Sequence, residues 1–143
     1  MPSHFENLVA MYDRAPINEW FRPRLKITGE GRAEIELAVR QDFYHAGRAI
    51  HGAIYFKALD DATFFAVQSL VTDLFVLTAS FQLYFLRPVS EGKLFATGRV
   101  VSRSKRLYIA EGILLDDRGK EVARGTGSFM PGSLVLAPEM GYG

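Results

Sequence analysis

An α+β domain, with one continuous antiparallel sheet curled round a single long helix, is what this sequence predicts, and three observations carry the expectation. The stretch from His45 to Val71, HAGRAIHGAIYFKALDDATFFAVQSLV, is apolar around most of a helical circumference, through Ile50, Ile54, Phe56, Leu59, Phe64, Phe65, Val67 and Leu70. A helix of that kind has to be covered on most sides. The segments after it alternate apolar and polar residues between short polar turns and contain no further helical pattern, so the cover is a sheet. The 143 residues are 48% hydrophobic and 23% charged, which suits one domain with a sizeable core across 1–143.

In chain order, Ser3 to Asp13 (SHFENLVAMYD) places Glu6 three residues after Ser3 and ahead of an apolar run, a capping-box signature for a short helix. That helix is expected to end near Arg14, before Pro16, within an N-terminal helical segment 1–20. Trp20 and Phe21 follow as large rings placed to plug the end of a barrel or to line a pocket. Leu25–Thr28 and Arg32–Val39 alternate across Gly29-Glu30-Gly31 and read as a hairpin. The long helix comes next, entered through a glycine-bearing loop. Gly52 in its first turn costs about 1 kcal/mol relative to alanine, which implies a close approach to the backbone there. Phe75–Leu86 is a long aromatic and β-branched strand closed by Arg87, Pro88 and a turn at Ser90-Glu91-Gly92. Lys93–Ser102, Arg106–Leu115 and Glu121–Met130 complete the sheet, and the residues from Pro131 to 143 read as an irregular tail.

Composition narrows the function. There is no cysteine, so disulfides and thiolate metal sites are excluded, and His4, His45 and His51 have no metal-ligand spacing. Neither a signal peptide nor a membrane span is indicated, since the longest apolar stretch is broken by Lys57, Asp60 and Asp61; a cytoplasmic protein without a membrane partner is expected. A net charge of +1 gives no global attraction for polyanions, and no nucleic-acid motif occurs, so no nucleic-acid partner is expected either. Two adjacent carboxylates in mid-helix, Asp60 and Asp61, stand out, because ionised groups are expensive to bury unless paired or used. Neighbouring helix positions point about 100° apart, so only one of the two can face a given site.

The order of elements, and two spaced motifs, resemble the hotdog fold and within it the acyl-coenzyme A thioesterases of the PaaI-like (4-hydroxybenzoyl-CoA thioesterase) superfamily. That family's pattern is Asn, five residues, His-Gly-Gly, then an Asp nine positions after the His. Here it reads His45, AGRAI, His51-Gly52-Ala53 and Asp60, with His45 in place of Asn and Ala53 in place of the second Gly. A Ser or Thr on the strand after the helix, about ten residues before a Pro, is matched by Thr78 and Pro88. The resemblance covers residues 20 to 130. It implies hydrolysis of an acyl-CoA thioester, with coenzyme A part of the substrate and no separate cofactor or metal.

The resemblance also assigns roles. The Gly52 N–H, at the positive end of the helix, would polarise the thioester carbonyl. Asp60 would be general base or nucleophile, with Asp61 left to cap a strand or pair with a basic residue. His45 would orient the thioester or the water, and Thr78 would hydrogen-bond the water. His51 and Ala53 complete the motif as substrate-binding positions, although His51 also suits a purely structural role at the loop-to-helix turn. The basic turn Arg103, Lys105 and Arg106 suits the phosphates of coenzyme A, or is simply a solvated turn. Phe43, Tyr44, Phe56, Phe64, Phe65 and Phe81 would supply an apolar acyl pocket or the core. The nine-residue step from His51 to Asp60 is a rise of roughly 13.5 Å with the side chains turned about 180°. Gly52 and Asp60 of one chain are therefore not expected to reach one carbonyl, and a site shared across a two-fold homodimer follows, alone or as a homotetramer of two such dimers. A non-catalytic acyl-CoA or small-ligand binding module on the same fold is the alternative, kept open by His45 and Ala53.

Overall fold

The computed structural model describes residues 2–143. The N-terminal helix α1 (His4–Arg14) begins at the expected capping box: Ser3 Oγ accepts from the Glu6 N–H, and the Ser3 N–H donates to Glu6 Oε1. A second helix, α2 (Pro16–Phe21), follows one residue later. Its existence is not evident from the sequence pattern, because six residues carry too little periodicity. Pro16 at its first position and left-handed Arg22 at its end (φ 56°) define it instead. Phe21, fully buried, is the plug; Trp20 is 47% exposed and lies edge-on to Phe43 beneath the Arg40 guanidinium.

The hairpin of β1 (Arg24–Gly29) and β2 (Arg32–Ala38) leads through the loop 39–51 into α3 (Gly52–Gln68). The helix begins at Gly52 rather than at His45. The His45 to Ile50 segment closes as a small turn with the Arg48 N–H donating to the His45 carbonyl and Arg48 at φ 64°. The strands β3 (Leu74–Phe85), β4 (Lys93–Arg103), β5 (Tyr108–Asp116) and β6 (Glu121–Val135) complete one antiparallel sheet in the order β1-β2-β4-β5-β6-β3. The turn after β3 is therefore not a hairpin turn. It carries the chain from one edge of the sheet to β4 beside β2, while β3 pairs with β6 and leaves its other edge open.

The tail expected from Pro131 is in part strand. β6 continues to Val135, with Val76 opposite Pro131 and Leu74 opposite Val135. Pairing with β5 ends at Phe129, so proline's missing N–H at 131 leaves no ladder partner wanting on that side.

The helix lies directly on the sheet. Ala58, Ala62 and Ala66, spaced four apart, are buried, and Gly98 on β4 and Gly112 on β5 are register partners beneath them. A Cβ on Gly98 would stand 2.4 Å from the Ala62 carbonyl oxygen, and one on Gly112 3.0 Å from Leu59 Cδ2. The far end of the helix is tied by Gln68, fully buried. Its amide donates to the carbonyls of Val71 and Leu74, and its Oε1 accepts from the Val76 N–H, so the loop into β3 folds around one satisfied side chain. His4 ties α1 to the same place through Nε2 and the Gln68 carbonyl oxygen (2.9 Å).

Gly98→Ala should be among the most destabilising single-methyl changes in the chain, because the contact is backbone to backbone and neither side can rotate away. A loss of about 2–3 kcal/mol is expected in urea unfolding, against less than about 0.5 kcal/mol for an alanine at the solvent-open Gly29, where a Cβ meets nothing.

Candidate active site

Asp60 sits two turns into α3, on the flank that the sheet leaves to β3 and the N-terminal helices. Its Oδ1 accepts from the Thr78 hydroxyl at 2.8 Å. A β-bulge between Thr78 and Ser80 makes that contact. Thr78 reaches the helix just before that shift in register, and beyond it the odd-numbered Phe81 and Phe85 do. Burial pushes the Asp60 carboxyl up to about 6, helped by the neighbouring Asp61 charge and opposed by the Thr78 hydrogen bond and by Lys57.

Asp61 turns away from Asp60 into a separate set of bonds. Its Oδ2 accepts from the Tyr12 hydroxyl and from Lys57 Nζ, both at 2.5 Å. Of the two expected roles for Asp61, pairing with a basic residue is the one observed. Burial pushes the Asp61 carboxyl up against the pull of Lys57, and pushes the Tyr12 hydroxyl up as well. Asp60, Asp61, Lys57 and Thr78 share a groove of about 340 Å³ whose apolar walls include Phe64, Phe65 and Phe75, with Tyr12 and Ile17 closing it from the N-terminal helices.

Gly52 opens a different groove, of about 400 Å³, lined with His45, Ile50, Tyr55, Phe85 and Arg87. Among the described residues its N–H donates to no acceptor, whereas the next N–H, that of Ala53, is taken at 2.8 Å by His51 Nδ1. His51 is thus the N-cap of α3, the structural alternative for that residue. The Ala53 N–H is thereby used by the cap, which leaves the Gly52 N–H as the unpartnered donor of this turn. The close approach that Gly52 permits is that of Phe85: a Cβ would meet the ring at 2.9 Å. His45 reaches the same groove, with Nδ1 accepting from the Gly47 N–H and its ring 6.5 Å from that of His51.

The unpartnered Gly52 N–H and the partly buried Asp60 carboxylate thus lie in two grooves that share no lining residue. The residue range 47–123, more than half of the chain and containing Gly52, Asp60 and Thr78, matches the model of the thioesterase superfamily. The chain belongs to that superfamily. The PaaI protein of E. coli, from the phenylacetic acid degradation operon, superposes with a TM-score of 0.85 at 21% identity, covering 94% of this chain and 96% of its own. A phenylacetic acid degradation-related protein of Ralstonia eutropha superposes with a TM-score of 0.77 at 24% identity, over 90% and 99%. These likenesses establish the hotdog fold. A protein of Saccharolobus solfataricus provisionally named an esterase is 27% identical over 101 residues, 71% of this chain and 67% of its own. Thioester hydrolysis, in general terms, is the activity to which superfamily membership points.

Measured against the family motif, the chain joins Asp60 to Thr78 and Gly52 to His45, but does not join the two pairs. Gly52 and Asp60 are eight residues apart, about 12 Å of rise and a turn of about 80°, so it is distance rather than opposed facing that separates them. Arg103, Lys105 and Arg106 join neither: Arg103 ends β4 and Lys105 and Arg106 lie on the turn to β5, where the latter two edge a groove beside Leu70 to Leu74, past the C-terminal end of α3. Of the aromatic candidates, Phe43 is core and Phe64 and Phe65 line the Asp60 groove. Two residues that bond Asp61 in that groove stand outside the family motif. Lys57 was legible as an i,i+4 partner of Asp61, but Tyr12 lies 49 residues away and carries no local signal.

The Asp60 proton is held more tightly in the folded chain than in an unfolded one, whose value is near 3.8, so ionising Asp60 destabilises the fold. The penalty is absent below that value and complete above about pH 6. Asp60→Asn should therefore stabilise the protein at pH 8 by on the order of 1–2 kcal/mol, with the gain fading toward pH 4, as read by denaturant unfolding across pH.

Proposed function

We propose that the protein hydrolyses an acyl-CoA thioester in a site shared by two subunits of a homodimer. The Gly52 N–H of one chain polarises the carbonyl, and Asp60 of the partner subunit acts on the other side. The observation that carries this reading is the antiparallel order of contacts between α3 and β3: Gly52 with Phe85, Phe56 with Phe81, Asp60 with Thr78, Phe64 with Phe75. β3 is the open edge of the sheet, twelve residues long, and exposes Leu77, Tyr84 and Phe85. A long apolar edge of this kind favours pairing with another strand. A two-fold axis close to Phe81 exchanges the ends of β3. It sets the Asp60 and Thr78 end of one subunit against the Gly52 and Phe85 end of the other.

In such a site the carbonyl oxygen takes the free Gly52 N–H, reinforced by the start of α3. Asp60, ionised and oriented by Thr78, removes a proton from water as the water oxygen bonds to the carbonyl carbon. The tetrahedral intermediate keeps its negative oxygen on the Gly52 N–H. Its collapse breaks the C–S bond, and the thiolate of coenzyme A leaves with the proton that Asp60 had taken. Direct attack by Asp60, giving an anhydride that water then opens, uses the same groups. Because Asp60 works ionised, kcat/KM should rise through about pH 6 to a plateau, and Asp60→Asn should lose on the order of a hundredfold or more. Incubation with a panel of acyl-CoAs and a thiol reagent reads the activity directly, and absence of thiol release with every acyl group would refute the enzyme reading in favour of a binding protein.

Complementation tests the shared site. Asp60→Asn and Gly52→Val homodimers should each be inactive, while the heterodimer holds one site with an intact Gly52 and an intact Asp60. Random pairing then restores up to about a quarter of wild-type activity. A mixture that stays inactive, with folded variants and heterodimers confirmed by mass, would place Gly52 and Asp60 in separate sites.

A further inference from the structure

Lys57 has no place in the reaction as just derived, yet it is one of the most constrained side chains in the Asp60 groove. Its Nζ donates to Asp61 Oδ2, and the ammonium lies 4.8 Å from the centroid of the Phe21 ring and 5.3 Å from that of Tyr12. Lys57 and Asp61 side chains are only 17% and 15% exposed. Such a pair recovers little of its desolvation cost through attraction alone, and replacement by apolar groups is often no worse for stability. A reason beyond stability is therefore called for. It lies in the position of the pair: Asp61 is the residue after Asp60, and Lys57 is one helical turn before both.

We propose that Lys57 and Asp61 act as positioning residues that set the ionisation of Asp60, the Lys57 ammonium cancelling the Asp61 carboxylate so that the neighbouring Asp60 can carry its charge. The proposal rests on the reading of Asp60 as the reacting carboxylate. The polar and charged side chains that line the groove with Asp60 are few. Tyr12 comes from α1, neutral Asn18 from α2, Lys57 and Asp61 from α3, and Thr78 from β3. Asp13 acts on the Tyr12 hydroxyl rather than on Asp60. Lys57 is thus the single cation among them. Without it, Asp60 would have to ionise beside a second carboxylate held only by the Tyr12 hydroxyl, in a groove with mostly apolar walls, and like charges that close disfavour double ionisation. Without Asp61, the ammonium would act on Asp60 unopposed. The two substitutions therefore push in opposite directions, and making both should cancel.

The experiment follows the Asp60 carboxyl carbon by NMR in protein labelled with 13C-aspartate, its resonance assigned by its loss in Asp60→Asn. Lys57→Met should raise the titration midpoint by about one pH unit, Asp61→Asn should lower it by about one unit, and the double variant should return to within about half a unit of wild type. Lys57→Arg, which keeps the charge, should leave it in place and covers the case in which methionine is not tolerated. Midpoints that stay fixed, or that move in the same direction in both single variants as a general loosening of α3 would make them, overturn the proposal. The acid limb of the hydrolysis profile is measured on the same variants. A limb that follows the midpoints supports both readings. Midpoints that move oppositely while the limb stays still leave the charge coupling standing and remove Asp60 as the ionising group of the reaction, so the two readings fail separately.

Discussion

The contact between the Gly98 backbone and the Ala62 carbonyl determines how close the helix can lie to the sheet, and most of the structure follows from that separation. With no Cβ at Gly98 or Gly112, and only methyl groups at Ala58, Ala62 and Ala66, α3 rests on β4 and β5 at backbone distance. A helix seated so deep has its large apolar residues, Leu59, Phe65 and Val67, inside the curl of the sheet. The sheet cannot close over the remaining flank, where Lys57, Asp60, Asp61 and Phe64 emerge. That flank is left to β3 and to the short N-terminal helices, and it is where the polar chemistry collects. Burial there is deep enough to disfavour charge.

Two adjacent carboxylates on that flank are resolved into different duties by helix geometry. Successive positions diverge by about 100°, so Asp60 meets Thr78 on β3 while Asp61 meets Tyr12 on α1. One carboxylate is held by a single hydroxyl and keeps lone pairs free for chemistry. The other is bound to a hydroxyl and an ammonium. The same helix carries an unpartnered N–H at its first residue, Gly52, and the Asp60 carboxylate two turns later. About 12 Å of helix rise separates the two, and β3, beside both, is an edge strand of the sheet.

Much of this was legible in the chain. The capping box at Ser3, the hairpin about Gly31, the wide apolar arc of α3 and the alternation of the later strands each report a local energetic preference, and each element appears where its pattern lies. Helix α2 was not legible because six residues do not complete two turns. The extension of β6 past Pro131 was hidden because proline is normally a stop signal, and only the ending of the β5 partner at Phe129 makes it tolerable. The motif from His45 to Asp60 spans the entry loop and the first two turns of α3, and the structural role expected of His51 at the turn is the one the fold displays. His51 and Ala53 are consumed in capping the helix, which follows from where the helix begins, and that boundary is set by the turn at His45 to Ile50.

Sequence by itself determined the fold class, the helix that organises it, the superfamily motif and the pair of carboxylates, because periodicity, capping and spacing are all properties of residues near one another in the chain. Only the tertiary structure decided which partners hold each carboxylate, since these include Tyr12 and Thr78, 49 residues before Asp61 and 18 after Asp60. It likewise decided the place of β3 at the sheet edge, the bulge that aims Thr78 at the helix, and the separation of the Gly52 and Asp60 grooves. These are outcomes of packing, in which the energy of one residue depends on partners brought near by the whole fold, and no local pattern in the sequence carries that information.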